Sequence, residues 1–192
     1  MKNISNNQAI SKLIFALDAK SYEDALELVE LLSGSVGMFK VGKELFTAAG
    51  PRIVERIKEK DQRVFLDLKF HDIPNTVARA AEAAMRMGVD MFNIHAAGGS
   101  KMIRETMQAV ENYSVKTNIC RPIVLAVTVL TSLNDEDLKE IGYTKTTKEL
   151  VNQLAGLAKA AGASGAVTSA QDIAAVRSVA GNDFVIVTPG IR

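Results

Sequence analysis

The segment VFLDLKFHDIPNTV, residues 64–77, runs three apolar residues straight into Asp67, Lys69, His71 and Asp72, and Pro74 follows at once. An apolar run of this kind reads as a buried strand, where an unpaired charge is expensive to dehydrate. Side chains alternate along a strand, so Phe65, Asp67 and Lys69 are expected on one face, with Asp67 and Lys69 about 6–7 Å apart. Lys40 ends the preceding apolar run, MFKVG, and shares its face with Met38 and Gly42. Two ammonium groups around a carboxylate favour its ionised form, and the carboxylate favours theirs. The array is either a structural ion pair plugging a core or a proton donor held beside developing negative charge.

Other polar residues near this segment carry two readings each. Asp72 precedes Ile73-Pro74 and a helical stretch, so it suits a helix cap; Pro74 also pushes Ile73 towards extended backbone, which throws Asp72 away from its own strand axis. His71 and His95, with Asp67 and Asp72, match no standard ligand spacing, and lysine is an awkward neighbour for a cation; no metal is expected. Gly98-Gly99 before a helix could cradle a phosphate or simply turn the chain. Asp18 is a ligand contact or a cap for the first long helix. Thr188-Pro189-Gly190-Ile191-Arg192 follows the last apolar run, where an arginine can anchor an anion.

The elements that must position these groups follow from periodicity. Seven short apolar runs, KLIFALD, MFKVG, VFLDLK, MFNIHA, PIVLAVTVL, GAVTS and FVIVTPG, alternate with segments that space apolar residues at three and four. The runs are apolar on both faces, as parallel strands covered on each side are. TSLNDEDLKEIGYTKTT is expected to hold one short extra helix. The first strand lacks the glycine-rich turn of a doubly wound sheet, whereas polar residues end many strands, as in a (β/α)8 TIM barrel. The expectation is a single barrel domain over residues 1–192. Only seven strands are counted, so the eighth is missing from the given sequence, and the working protein is expected to continue beyond Arg192.

Composition narrows the function. The chain has 192 residues, 47% of them hydrophobic, enough for one core. Its 23 basic and 22 acidic residues leave a net charge of +1, which gives no general affinity for nucleic acid or an anionic membrane. The lone cysteine, Cys120, rules out an intrachain disulfide, and no signal or spanning segment is read at the N-terminus, so a cytoplasmic location is expected.

FLDLKFHDIPNT closely resembles the signature of the orotidine 5′-phosphate decarboxylase family, in its bacterial branch. FALD, FKVGKELF, HAAGG, AVTVLTS, TSAQ and VTPGIR resemble further segments of that family, so the similarity spans the chain. The resemblance implies a homodimer of (β/α)8 barrels that converts orotidine 5′-monophosphate to uridine 5′-monophosphate and CO2 without metal or cofactor. It places the catalytic network on Lys40, Asp67, Lys69 and Asp72, with Lys69 protonating C6. Asp72 and Thr76 would reach the neighbouring subunit's site. Asp18 and Thr76 match ribose contacts and Thr131 a pyrimidine contact. Arg192 matches a phosphate contact, with Pro189 beside it in the substrate-binding set. The family's later phosphate-binding glutamine and glycine-arginine pair fall beyond the given sequence. Two rivals share the scaffold: a Mg²⁺-dependent sugar-phosphate decarboxylase or synthase, which lacks the HDIPNT continuation, and a non-catalytic nucleotide-phosphate binder.

Overall fold

The computed structural model describes residues 6–190. A short helix α1 (Asn6–Ile10) leads into β1 (Ile14–Ala16), α2 (Tyr22–Leu32), β2 (Met38–Gly42), α3 (Lys43–Ala49) and α4 (Arg52–Glu59). Then come β3 (Val64–Phe70), α5 (Pro74–Arg86), β4 (Met91–His95), α6 (Gly99–Thr117) and β5 (Ile123–Val127). The chain closes with α7 (Asp135–Glu140), α8 (Thr147–Ala160), β6 (Gly165–Val167), α9 (Ile173–Ala180) and β7 (Val185–Val187). Each expected apolar run contains one strand, and α7 is the expected extra helix.

The seven strands lie in chain order across one sheet, from β1 to β7. The register is parallel, pairing Ile14 with Met38, Phe39 with Val64, Leu125 with Gly165, and Gly165 with Val185. A doubly wound sheet reverses its strand order at a switch point. This order never reverses, so the fold is α/β of the TIM-barrel kind, with seven strands among the described residues.

By its backbone contacts the chain divides into two compact units. One runs to Leu68 and includes Ala83–Phe92; the other comprises Lys69–Glu82 and the chain from Asn93 onward. In the first, α2 starts where the Ser21 hydroxyl accepts the Asp24 amide at 3.0 Å, and it buries Ala25 and Val29 one turn apart. The sequence reads as one helix over residues 43–60, but the structure breaks it in two. Gly50, at φ 65°, ends α3 with its amide on the Phe46 carbonyl, and Pro51 cannot continue the ladder. After the break, α4 turns Ile53, Val54 and Ile57 into the core. Asp90 then ties α4 to β3, accepting from Lys58 Nζ and from the Val64 amide, each at 2.8 Å.

In the second unit, α6 buries Met102, Ile103, Thr106 and Val110, the three-and-four spacing of an amphipathic face. Gly165 is required where β6 meets β7, since a Cβ there would lie 2.2 Å from the Val185 carbonyl oxygen. Among the described residues, no helix is long and apolar enough to cross a membrane.

The start of α8 is held by carboxylates. Glu149 accepts the Thr146 amide at 2.9 Å and its hydroxyl at 2.8 Å, while Asp135 accepts the Thr147 hydroxyl at 2.6 Å and its amide at 2.7 Å. These hydrogen bonds hold both carboxyls below their ordinary values of 4.5 and 3.8. A lowered carboxyl stabilises the fold above its ordinary value, and that contribution is lost as pH falls through the lowered one. Thr146→Ala should cost about 1 kcal/mol at neutral pH. In thermal unfolding, its deficit against the native chain should shrink as pH drops below 4.5; a deficit independent of pH would disconnect Glu149 from this cap.

Candidate active site

The charged residues of the first unit meet at the ends of three strands. Parallel register aligns Ala16, Lys40 and Phe65, and pairs Gly42 with Asp67 two residues further along. Residues in register or two apart share a face, so Lys40 and Asp67 project together. Lys40 Nζ stands 3.5 Å from Asp18 Oδ1 and 3.6 Å from Asp67 Oδ2. Both separations exceed hydrogen-bonding length, so attraction is by charge, and the ammonium keeps donors for a ligand.

The two ion pairs are unequal. The Asp18 side chain is 78% exposed and that of Asp67 only 12%. Water screens the first pair, which contributes little; the second keeps a buried carboxylate company. Gly42 leaves room for this arrangement, because a Cβ there would lie 3.2 Å from Lys40 Nζ.

Lys69 and its surroundings belong to the second unit. Its φ is +51°, left-handed backbone inside a strand. For a residue with a Cβ this costs about 1–3 kcal/mol. Its amide donates to Asn93 Oδ1 at 2.8 Å, and Asn93 is 1% exposed. The simple alternation expected from the sequence therefore stops at Lys69, whose side-chain direction follows from the left-handed turn and not from the pleat.

Asp72 is exposed, and its Oδ1 accepts the amide of Ile73 at 2.6 Å. A capping aspartate reaches the amide two or three residues on; this contact reaches only one. Ile73 and Thr76 are exposed beside it. The rings of His71 and His95 lie 5.2 Å apart, tilted by 31°. Among the described residues, no group of three or more histidine, cysteine, aspartate or glutamate side chains is arranged to hold a metal. A Cβ at Gly98 would meet the Met102 thioether, 2.1 Å from its sulfur, so that flexible side chain would have to shift. Thr131 is exposed at a cavity of about 590 Å³ that Asp135, Lys148, Ser169 and Gln171 also line. Pro189 is exposed beyond β7, and Arg192 lies outside the described residues. The structure thus joins Asp18, Lys40 and Asp67.

Sequence reasoning did not single out Asn93 or the space that Gly42 leaves for Lys40. The signal for Asn93 was a lone amide inside MFNIH, a strand otherwise apolar up to His95.

A model of the family described as orotidine 5′-phosphate decarboxylase / HUMPS matches residues 11–192. The orotidine 5′-phosphate decarboxylase of Syntrophus aciditrophicus is 57% identical over 192 residues, which is all of this chain and 76% of the relative. That of Syntrophotalea carbinolica is 50% identical over 185 residues, 96% of this chain and 76% of the relative. Among solved structures, orotidine 5′-phosphate decarboxylase from Lactobacillus acidophilus superposes with a TM-score of 0.87 at 37% identity, covering 94% of this chain and 81% of its own. An uncharacterized conserved protein from Geobacillus kaustophilus gives 0.86 at 38%, covering 92% and 82%.

The inequality of the two ion pairs predicts a stability difference. Lys40→Met leaves the Asp67 carboxylate without this cation and should cost about 2 kcal/mol or more. Asp18→Asn should change stability by less than about 0.5 kcal/mol. Denaturant unfolding of the two variants measures both, and equal losses would show that the outer pair carries as much as the inner.

Proposed function

The chain belongs to the orotidine 5′-phosphate decarboxylase / HUMPS family, and from that premise we propose that Lys40, Asp67, Lys69 and Asp72 carry its chemistry. The reaction is decarboxylation of orotidine 5′-monophosphate to uridine 5′-monophosphate, which makes the protein a carboxy-lyase. The observation that carries the assignment of residues is Lys40 held between Asp18 and Asp67, with Lys69 two residues further along β3.

The C6–carboxylate bond breaks, CO2 leaves, and the electron pair stays in an in-plane orbital on C6, where the ring cannot delocalise it. A fixed ammonium stabilises that carbanion, and the Lys69 Nζ proton then moves to C6. The Lys69 ammonium is the acid of this step. At ~4 Å and an effective dielectric of ~20, one such contact is worth about 4 kcal/mol. That corresponds to about three decades of rate, so a preorganised, water-excluding site supplies the rest.

Asp18, Lys40, Asp67, Thr76, Thr131, Pro189 and Arg192 form the proposed substrate-binding set, with ribose at Asp18 and Thr76, pyrimidine at Thr131 and phosphate at Arg192. Asp72 and Thr76 serve the site of a second copy in a homodimer. Support comes from the exposure of Asp72, Ile73 and Thr76 together, with Ile73 66% exposed. The exposed free thiol of Cys120 suits a reducing compartment such as the cytoplasm.

Three experiments follow. Lys69→Ala should abolish turnover while leaving uridine 5′-monophosphate binding within about tenfold, because the contacts to ribose and phosphate stay in place. Near-native turnover in that variant would assign the proton to another residue. Activity should also survive exhaustive chelation; restoration by Mg²⁺ after loss would favour the sugar-phosphate branch of the family. Finally, mixing inactive Lys69→Ala and Asp72→Ala homodimers with confirmed subunit exchange should restore about a quarter of native activity, since about half the dimers then hold one intact site. No recovery would place Asp72 in its own chain's site.

A further inference from the structure

Three non-glycine residues among those described have positive φ: Asp61 at 55°, Lys69 at 51° and Asn118 at 57°. Asp61 lies in the turn after α4, and Asn118 is the C-cap of α6. Both are residue types and places that tolerate the left-handed region. Lys69 is neither. A long side chain in a strand would ordinarily keep extended backbone, and the turn there needs a cause outside the local sequence.

We infer that Asn93 is a positioning residue for the reaction: its buried carboxamide oxygen pins the Lys69 amide and so fixes the left-handed backbone that aims the ammonium. The inference rests on the reading of Lys69 as proton donor. The angle φ is rotation about the bond from N to Cα. With the chain after Lys69 held in place, the orientation of the peptide plane before it sets φ and hence where the Cβ points. The 2.8 Å bond to Asn93 Oδ1 holds that plane. Asn93 sits in β4 among Met91, Phe92 and Ile94, all buried, where an aliphatic side chain would be the ordinary occupant. A buried amide persists only when hydrogen-bonded, and the carboxamide oxygen of this one accepts from the backbone of the proposed acid. Near-attack geometry is steep in position: displacement by about 1 Å costs on the order of 10²-fold in rate.

Asn93→Leu is the test, since it keeps the shape, removes the acceptor and suits an apolar strand. Should it not fold, Asn93→Ala is read in the same way. The expected result is a kcat lowered on the order of 10²-fold, with affinity for uridine 5′-monophosphate changed less than about threefold, because the side chain is buried with its carboxamide oxygen on the Lys69 amide. Asn93→Asp, which keeps an acceptor oxygen at the same reach, should recover most of that loss. Native kcat in Asn93→Leu, or a matching loss of nucleotide affinity, would overturn the inference.

A second arm needs no activity. Lys69→Gly should unfold about 2–4 °C above Lys69→Ala, because glycine accepts positive φ. In the Asn93→Leu background the backbone is released, and that difference should vanish. A difference that persists overturns the inference even if the native chain proves not to decarboxylate, whereas an inactive native chain with the coupling intact would refute only the proposed reaction.

Discussion

Dehydrating a carboxylate costs several kcal/mol unless a cation stays beside it, and the Asp67 side chain is only 12% exposed. Lys40 meets that demand from the next strand. It can do so because β2 and β3 pair in a register that sets Gly42 against Asp67 and Lys40 against Phe65. A slip by one residue would turn Lys40 to the opposite face and take this cation away from the carboxylate. Charge and hydrophobic burial therefore specify the same register, and Gly42 contributes by having no side chain where the ammonium stands. Asp90 is a second carboxylate used in this way, bridging the Lys58 ammonium and the Val64 amide at the entry to β3. The strand bearing Asp67 is held at its start and at its charged end by separate polar contacts.

Much of this was legible in the residues. The apolar runs found their strands because buried parallel strands need continuous hydrophobic side chains, and MFKVG became β2 without adjustment. The break between α3 and α4 was missed, since periodicity runs on through Gly50-Pro51 while the backbone does not. The Lys40 and Asp67 pair was recoverable from strand ends alone, whereas Asp18 stayed between a ligand contact and a helix cap. The backbone of Lys69 was not legible, because a left-handed residue inside a strand is set by a partner distant in sequence, and no local pattern in LDLKF encodes φ. Asp72 was ambiguous for a related reason: capping depends on whether the carboxylate reaches two residues or one, and spacing cannot distinguish them.

The comparisons and the geometry answer different questions. Relatives at 50–57% identity establish the family and with it the reaction class. The geometry adds how particular side chains are held. Lys40 is pulled by two carboxylates of unequal exposure, so water screens its outer partner far more than its inner one.

Because the chain is synthesised from its N-terminus, the order of these residues has a kinetic consequence. Asp18, Lys40 and Asp67 all precede Asn93. A nascent chain can therefore pair its first three strands and satisfy the buried carboxylate before the anchor for Lys69 has left the ribosome. The Asp18, Lys40 and Asp67 charges can thus come together early, whereas the Asn93 hydrogen bond to the Lys69 amide waits for β4.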